Sequence, residues 1–446
     1  MSERLFGTDG MRGVALQYPL DRRTVTRLGH VLAVQLRETG APCRVLLAGD
    51  TRRSTEVLAG WIGGAFVGSG GQVEWAGVLP TPAVSHLVRS DGGYGAGVIV
   101  SASHNPAADN GIKLVGAGGS KLPAHEELAL ERRLLALDHD PEVVPLGAPA
   151  FTDTKRYVEL LLGTLPAAAL GGLKVVVDTA HGAATPVANE VFSRLGAEVT
   201  LINAAPDGDN INASCGALHP AGLAARVKET GADAGVALDG DADRAVLVTH
   251  TGRVLDGDDV LWLWARDLKS RDALPGLTLV ATVMSNLGLE LACLKAGLRL
   301  ERCPVGDREV WEAMQRTGSV LGGEQSGHVI CAHHTVTGDG LLTAAHVLHL
   351  AAEQRKTLES LADLVHLPQV LLNVRVAHRR PIDQVPELAA AIARHQAELD
   401  GGGRVFVRYS GTEPLLRIMV EAATMQAARE TAEHLATVAR TCLGAG

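Results

Sequence analysis

The chain has 446 residues, 46% of them hydrophobic, and its 41 basic and 50 acidic residues give a formal net charge of −9. A chain of this length is longer than one hydrophobic core usually organises, so we expect several domains. The negative net charge argues against nucleic acid or an anionic membrane as the main partner. The start MSERLFGTDG is too polar for a signal peptide, the six cysteines form no C-x-x-C pair, and a run of about 18 apolar residues that could span a membrane is missing. We therefore expect a soluble protein of the cytoplasm.

Apolar runs that end in aspartate recur along the chain and predict buried strands over 44–52, 173–182 and 234–244. Amphipathic helical patterns lie between them, the first over 25–36 with Gly40 placed to end it. Short buried strands that alternate with helices predict an α/β fold with parallel or mixed sheets covered on both faces. Ligands gather at the carboxyl ends of such strands, where these runs place their aspartates.

Breaks in this pattern predict four domains. Helical periodicity is lost over 138–151, where three prolines gather, and a helix gives way to a strand and a proline-interrupted loop over 367–387. A glycine-containing turn with an acidic cluster near 250–259 predicts a third boundary. The predicted domains cover residues 1–150, 151–252, 253–366 and 367–446.

The segment LDGDADR places the carboxylates of Asp239, Asp241 and Asp243 at alternate positions, separated by small residues. Three such groups repel one another unless a cation lies between them, and oxygen ligands favour Mg²⁺ or Ca²⁺ over zinc. An EF-hand would need glycine and a late glutamate where Arg244 and His250 stand, so that interpretation fails. Arg244 could instead hold a phosphate oxygen. A solvated acidic turn is the alternative.

The segment SASHNP follows the apolar run GVIV, so a serine hydroxyl can project from the end of a strand. The G-x-S-x-G elbow is absent, which argues against an acyl-enzyme and favours a serine that carries a phosphoryl group. Lys113 could then carry a proton if burial or neighbouring cations lower its pKa. The alternative is that Ser101 and Ser103 only cap the turn and that Lys113 is solvated. Spacing does not choose between the two serines.

Three further polar segments are less specific. RYSGTEPLLR surrounds a glycine turn with hydroxyls and two arginines, which is typical of a phosphate cradle but also of a surface β-hairpin. GGEQSGH offers a carboxylate, a hydroxyl and an imidazole to a sugar, although a solvated turn would look the same. Arg12, in FGTDGMRG, and 50–53 after the first predicted strand suit phosphate contacts and structural ion pairs equally.

Taken in order along nearly the whole chain, FGTDGMRG, ASHNP, DGDADR, GEQSGH and RYSGTEPLLRIMVE resemble the motifs of the α-D-phosphohexomutases. NINASCGALHP, SNLGLE, VGDREV and HTVTGDGLLTA resemble in particular the bacterial members that act on glucosamine phosphates. The resemblance implies a four-domain α/β architecture around a central cleft, with mixed sheets in three α/β domains and a smaller C-terminal α+β domain. The sequence departs from the family pattern at Ala48 and Thr55, on either side of the Asp50–Arg53 turn.

The resemblance also implies roles for individual residues. The phosphoryl group would be carried by Ser103, and one Mg²⁺ would be held by Ser103, Asp239, Asp241 and Asp243. The implied catalytic groups are Ser103, Arg12, His104, Lys113, Arg244 and His328. Sugar hydroxyls would be bound by Glu324 and Ser326. The distal phosphate would be bound by Arg408, Ser410, Gly411, Thr412 and Arg417.

The reaction that the resemblance implies starts with transfer of the phosphoryl group of Ser103 to O1 of glucosamine 6-phosphate. Glucosamine 1,6-bisphosphate would form, turn round and return its 6-phosphoryl group to the serine, which leaves glucosamine 1-phosphate for UDP-N-acetylglucosamine and cell-wall precursor synthesis. A mutase of glucose or mannose phosphates is the first alternative. A sugar-phosphate binding protein without activity and a metal-dependent phosphatase are the others. Monomer and homodimer both remain open.

Overall fold

The computed structural model describes residues 4–7, 9–149, 152–410 and 415–444, without the side chains of Thr152 and Asp153. The chain divides into two compact units. The larger unit contains Met1–Met284 and Leu300–Asp363, and the smaller unit contains Ser285–Arg299 and Leu364–Gly446. In the described part of the chain, we find no helix with both the length and the hydropathy needed to cross a membrane.

The first sheet of the larger unit has five strands in the order β1-β5-β4-β2-β3. Its strands are β1 (Met11–Val14), β2 (Arg44–Gly49), β3 (Gln72–Val78), β4 (Ala96–Val100) and β5 (Asp109–Gly116). β2 runs parallel to β3 and β4, whereas β5 runs antiparallel to β4 and β1, so the sheet is mixed as expected. Its helices are α1 (Arg22–Glu38), α2 (Thr55–Gly68), α3 (Thr81–Asp91) and α4 (Ala124–Ala136).

Local sequence explains the bounds of α1. Asp21 caps its N-terminus by accepting a hydrogen bond from the backbone N–H of Thr24 at 3.1 Å. Gly40, with φ of 71°, follows its C-terminus, as the sequence predicts. Gly29 lets α1 approach α2 closely, because a Cβ at this position would overlap the carbonyl oxygen of Ile62. β2 is almost entirely buried, which explains why it reads as one continuous apolar run.

The second sheet also has five strands, in the order β10-β9-β8-β6-β7. Its strands are β6 (Lys174–Asp178), β7 (Glu198–Ile202), β8 (Ala234–Leu238), β9 (Ala245–Thr249) and β10 (Val254–Leu255). β6 is parallel to β7 and β8, and the pairs β8–β9 and β9–β10 are antiparallel. Its helices are α5 (Thr152–Leu162), α6 (Ala188–Arg194) and α7 (Ala221–Thr230). The predicted strands over 173–182 and 234–244 correspond to β6 and β8.

The third sheet has the strand order β12-β11-β13-β14, with β11 parallel to β13 and β13 antiparallel to β14. Its strands are β11 (Thr278–Thr282), β12 (Arg299–Cys303), β13 (Leu321–Gly323) and β14 (Val329–Cys331). Five helices occur in this part of the chain: α8 (Gly257–Ser270), α9 (Leu287–Lys295), α10 (Asp307–Thr317), α11 (Gly340–Gln354) and α12 (Leu358–Leu361). α9 belongs to the smaller unit, and α11 packs on β8 and β9 of the second sheet.

The smaller unit has an antiparallel sheet in the order β15-β17-β16. Its remaining elements are β15 (Gln369–Arg375), α13 (Pro386–Glu398), β16 (Arg404–Tyr409), β17 (Leu415–Glu421) and α14 (Met425–Leu443). Residues of β17, α13 and α14, such as Ile418, Leu388 and Leu435, form its core. The expected small α+β fold is confirmed.

Candidate active site

Ser103 lies in the loop that follows β4 and is buried. Its Oγ donates a hydrogen bond to Oδ2 of Asp239 at 2.6 Å and lies 3.3 Å from Nδ1 of His104. Ser101 has a local role, because its Oγ accepts a hydrogen bond from the backbone N–H of Ser103 at 2.9 Å. The structure therefore brings Ser103, and not the hydroxyl of Ser101, to the acidic loop after β8.

The carboxylates of Asp239, Asp241 and Asp243 are buried and each offers an oxygen, and these oxygens lie within 4.8 Å of one another. Burial, followed by Asp243 and Asp241, raises the pKa of Asp239 well above its ordinary value. Oδ1 of Asp241 and Oδ1 of Asp243 are buried and accept no hydrogen bond from the described residues. Unsatisfied, mutually repelling oxygens fit a cation with oxygen ligands. The triad is compatible with a metal site.

Lys113, on β5, pairs with two of the three aspartates of this cluster. Its Nζ lies 2.8 Å from Asp241, 3.1 Å from Asp9 and 3.6 Å from Asp243. Burial alone would lower the pKa of Lys113, but Asp241, Asp9 and Asp243 outweigh it and raise the pKa above its ordinary value. The lowered pKa that proton transfer by Lys113 would need is therefore not produced by the described residues. A cation on the triad would weaken the attraction of two of these carboxylates.

Asp9 is a junction that the sequence analysis missed. Its carboxylate pairs with Arg12, Lys113 and Lys121, and Lys121 also pairs with Asp307 at the start of α10. Burial would raise the pKa of Asp9, but Lys113, Lys121 and Arg12 hold it well below its ordinary value. Asp9 lies in a turn and Arg12 on β1, so the i, i+3 rule for ion pairs on helices could not have indicated this network.

Arg244 and His328 border the triad on the side of Asp243. The backbone N–H of Arg244 donates to Asp239 at 3.2 Å, and its Nε lies 3.6 Å from Asp243. Nε2 of His328 accepts a hydrogen bond from the backbone N–H of Gly338 at 3.0 Å, so Nδ1, 3.6 Å from Asp243, carries the proton. Burial would lower the pKa of His328, but Asp243 raises it.

His104, another predicted catalytic residue, has a lowered pKa, in contrast to His328. Burial, then the charges of Arg244 and Arg12, lower the pKa of His104 to about 4. Its imidazole is therefore neutral near neutral pH, beside the Oγ of Ser103.

Glu324 and Ser326 lie on the turn between β13 and β14, as the glycine-flanked segment predicts. Oε1 of Glu324 accepts a hydrogen bond from the backbone N–H of Gly306 at 3.1 Å, and Oγ of Ser326 lies 3.5 Å from Glu324. Burial would lower the pKa of Arg244, but Asp243 and Asp239, and then Glu324, raise it. The turn thus adds a carboxylate to the charged cluster around Arg244.

The arginine-rich segment lies in the smaller unit. Arg408 and Arg417 are direct partners in the β16–β17 register, which places two like charges opposite each other. Burial, and then Arg417, lower the pKa of Arg408. Ser410 is buried beside them, and Gly411 and Thr412 lie outside the described residues. Two adjacent guanidinium groups suit an anion.

The turn after β2 contains two arginines, and each of them forms an ion pair. Arg52 pairs with Asp50, and both side chains are fully buried, whereas Arg53 forms an exposed pair with Asp209. Both arginines therefore form structural ion pairs, one of the two alternatives that the sequence offered for this turn.

The first comparison with known proteins covers nearly the whole chain. Models of the four phosphoglucomutase/phosphomannomutase domains match it in order: alpha/beta/alpha domains I, II and III over residues 3–140, 155–252 and 256–367, and the C-terminal domain over 371–438. The first and third sheets each fall within one alpha/beta/alpha match, and so does the second sheet except for its edge strand β10.

Individual relatives are similar over their full lengths. Phosphoglucosamine mutase of Solibacter usitatus is 44% identical over 100% of both chains, and that of Symbiobacterium thermophilum is 45% identical over 98% of this chain and 99% of its own. A solved phosphoglucomutase/phosphomannomutase family protein from Burkholderia thailandensis has a TM-score of 0.82 at 25% identity, over 100% of this chain and 99% of its own. The resemblance drawn from the motifs is confirmed. The chain belongs to the phosphoglucomutase/phosphomannomutase family, the α-D-phosphohexomutases, and is a mutase of the isomerase class.

Proposed function

We propose that the protein interconverts glucosamine 6-phosphate and glucosamine 1-phosphate through a phosphorylated Ser103. The observation that carries the proposal is the 2.6 Å contact between Oγ of Ser103 and Asp239, within a buried triad of aspartates that Lys113 joins. The amino sugar is supported by the full-length relatives named phosphoglucosamine mutase.

The proposed reaction has two phosphoryl transfers. In the first, the bond between Oγ of Ser103 and phosphorus breaks, a bond from phosphorus to O1 of glucosamine 6-phosphate forms, and the proton of O1 passes to the serine. In the second, glucosamine 1,6-bisphosphate has turned round, the bond between phosphorus and O6 breaks, and the serine is phosphorylated again while O6 gains a proton. Such transfers need positioning and charge neutralisation more than covalent help.

The residues around Ser103 can supply both. Asp239, Asp241 and Asp243, with Ser103, would hold Mg²⁺, which neutralises phosphoryl oxygens. Three cations, Arg12, Lys113 and Arg244, add fixed positive charge around the reacting group. His104 and His328 complete the proposed catalytic set.

The remaining proposed contacts bind the substrate. Glu324 would accept hydrogen bonds from sugar hydroxyls, and Ser326 would donate a hydrogen bond to one of them. The distal phosphate would be bound by Arg408, Ser410, Gly411, Thr412 and Arg417. We propose that the enzyme works in the cytoplasm as a monomer or homodimer and supplies glucosamine 1-phosphate for UDP-N-acetylglucosamine and peptidoglycan precursors.

The test compares wild type, Ser103→Ala and Ser101→Ala on glucosamine, glucose and mannose 6-phosphates, with Mg²⁺ and the matching 1,6-bisphosphates. We expect preference for the amino sugar, loss of activity and of phosphorylation in Ser103→Ala, and a phosphorylated, active Ser101→Ala. Preference for glucose or mannose phosphate would identify the alternative mutase. Activity that survives in Ser103→Ala would refute the phosphoserine mechanism, and steady release of inorganic phosphate would identify a phosphatase.

A further inference from the structure

The main chain of the Ser103 loop is held by the side chains of Arg52 and Asn212, which are not among the catalytic, metal-binding or substrate-binding residues named above. The carbonyl oxygen of Ser103 accepts hydrogen bonds from Nη2 of Arg52 at 3.2 Å and from Nδ2 of Asn212 at 2.9 Å. The carbonyl oxygen of Asn105 accepts from the same two atoms, at 2.6 Å and 3.0 Å. Two donors thus share the same two acceptors, on either side of His104.

Arg52 is fixed on its other side by Asp50. The carboxylate of Asp50 pairs with Nη1 of Arg52 and also accepts hydrogen bonds from the backbone N–H of Arg52 and from Oγ1 of Thr55, both at 3.0 Å. Because both charged side chains are fully buried and paired, the guanidinium is neutralised by Asp50. Arg52 therefore serves the serine loop as a rigid double donor rather than as a ligand of phosphate.

Asn212 reaches the same loop from a distant part of the chain. Its own backbone N–H donates to the carbonyl oxygen of Ala180 at 2.9 Å, which anchors it beside the second sheet. Its Nδ2 also borders the metal loop, because a Cβ built on Gly240 would lie 2.8 Å from this atom and 2.6 Å from the carbonyl oxygen of Ser103. Asn212 is thus in contact with the serine loop and the aspartate loop together.

Arg52 and Asn212, here called the clamp, bind the main chain at a residue whose backbone is strained, Ser103. Ser103 has φ of 52°, in the left-handed region that residues with a Cβ avoid. Such a conformation persists only when the surroundings fix it, and it aims Oγ at Asp239. We propose that Arg52 and Asn212 are positioning residues that hold the Ser103 backbone in this conformation, so that the hydroxyl and its phosphoryl group stay aligned with the aspartate triad. This inference rests on the proposed phosphoryl transfer.

The test uses Asn212→Ala, which deletes one donor, and Arg52→Lys, which keeps a positive charge but lacks the planar fork that pairs Nη1 with Asp50 while Nη2 donates to both carbonyl oxygens. Arg53→Ala is the matched control, because Arg53 also connects this turn to the 207–212 segment but is exposed and does not contact the serine loop. Thermal unfolding confirms that each variant is folded. kcat and KM are then measured separately with the substrate that wild type prefers.

We expect kcat to fall by roughly 10- to 100-fold in Asn212→Ala and Arg52→Lys, because small misplacements of reacting groups have effects of that order. KM should stay within about twofold, since neither residue is a proposed substrate contact, and Arg53→Ala should match wild type. Because both donors hold the same carbonyl oxygens, the double variant should lose less than the product of the two single losses.

A folded Asn212→Ala with wild-type kcat would refute the clamp, even if Arg52→Lys did not fold. A raised KM with unchanged kcat would also refute it, since Asn212 would then be a substrate contact. If wild type prefers glucose or mannose phosphate, glucosamine phosphate is refuted as the substrate, but kcat of the variants on the preferred sugar still tests the roles of Arg52 and Asn212. A wild type without activity on any of these sugars would overturn the phosphoryl transfer and the clamp with it.

Discussion

The hydroxyl of Tyr157 donates to the buried carboxylate of Asp339, with its oxygen 3.0 Å and 2.9 Å from the two carboxylate oxygens. Tyr157 projects from α5, and Asp339 caps the N-terminus of α11. The residue before it, Gly338, donates its backbone N–H to His328. The hydrogen bond between Tyr157 and Asp339 therefore helps to support the turn beside His328.

We expect Tyr157→Phe to lower the free energy of unfolding by about 1–3 kcal/mol, because the buried carboxylate of Asp339 loses a donor without regaining water. Urea unfolding measures the change. Tyr18→Phe is the control, since Tyr18 is 63% exposed and should leave stability unchanged. Equal midpoints for Tyr157→Phe and wild type would show that this hydrogen bond does not stabilise the fold.

A methyl group at Gly240 should disrupt the active site. Its Cβ would meet the Ser103 carbonyl oxygen at 2.6 Å and Cδ1 of Ile211 at 2.9 Å, and the backbone of the buried loop cannot give way easily. We expect Gly240→Ala to reduce kcat by about 100-fold, by displacing Ser103 from Asp239. Gly222→Ala, where a Cβ meets nothing within 4 Å, should keep wild-type activity. Comparable kcat in both variants would contradict the close approach of the two loops.

Cation binding and stability should be linked. Mg²⁺ that binds the folded protein alone stabilises it by about 2.7 kcal/mol at one hundred times its Kd, so the thermal unfolding temperature should rise with Mg²⁺. Burial and two neighbouring carboxylates raise the pKa of Asp239, so Asp239→Asn should be at least as stable as wild type in EDTA. The same variant should gain little from Mg²⁺ and lose activity.

The control for that comparison is Asp209→Asn, at an exposed site that should keep the full response to Mg²⁺. An Asp239→Asn protein that is stabilised by Mg²⁺ as strongly as wild type would exclude Asp239 as a ligand. Calorimetric titration with Mg²⁺ measures the affinity of wild type and Asp239→Asn for the ion directly, independently of activity.

Acid should destabilise the larger unit through His346. This side chain stacks on Trp264, with ring centroids 5.1 Å apart, and Nε2 lies 3.1 Å from Oγ1 of Thr164. Burial, then His334 and His349, lower the pKa of His346 to about 3. The unfolded chain binds this proton near pH 6.5 and the folded protein does not, so stability is present above about pH 6.5 and is lost as the pH falls toward about 3.

Through His346, lowering the pH from about 7.5 to about 5.5 should reduce the free energy of unfolding by about 1.4 kcal/mol. Urea unfolding of His346→Gln at both pH values should lack that part of the loss, whereas His125→Gln, at an exposed site, should behave as wild type. An identical pH dependence for His346→Gln and wild type would show that His346 is protonated in the folded protein.

The sequence predicted the chemistry of the site better than its assembly. The aspartates of DGDADR and the serine before His-Asn-Pro are visible as motifs, because each is a local pattern at a strand end. That Ser103 and Asp239 meet is not local, since 136 positions separate them and each follows a strand of a different sheet. The family resemblance supplied that pairing.

The charges were the hardest part to predict. The pKa of Lys113 depends on which carboxylates surround it, and those come from two separate loops, Asp9 before β1 and Asp241 and Asp243 after β8. Spacing alone cannot show whether a buried lysine faces cations or anions. Arg52 was left undecided for the same reason, because its role depends on carbonyl oxygens that only tertiary packing brings within reach.

The shared hold of Arg52 and Asn212 on the carbonyl oxygen of Ser103 has a consequence for the newly made chain. Domains fold as they leave the ribosome, N-terminal first. The first sheet can form while Asn212 and Asp239 are still being synthesised, but its serine then lacks half of its backbone support and all of the acidic loop. We therefore expect a polypeptide that ends before the second sheet not to take up a phosphoryl group from sugar bisphosphates.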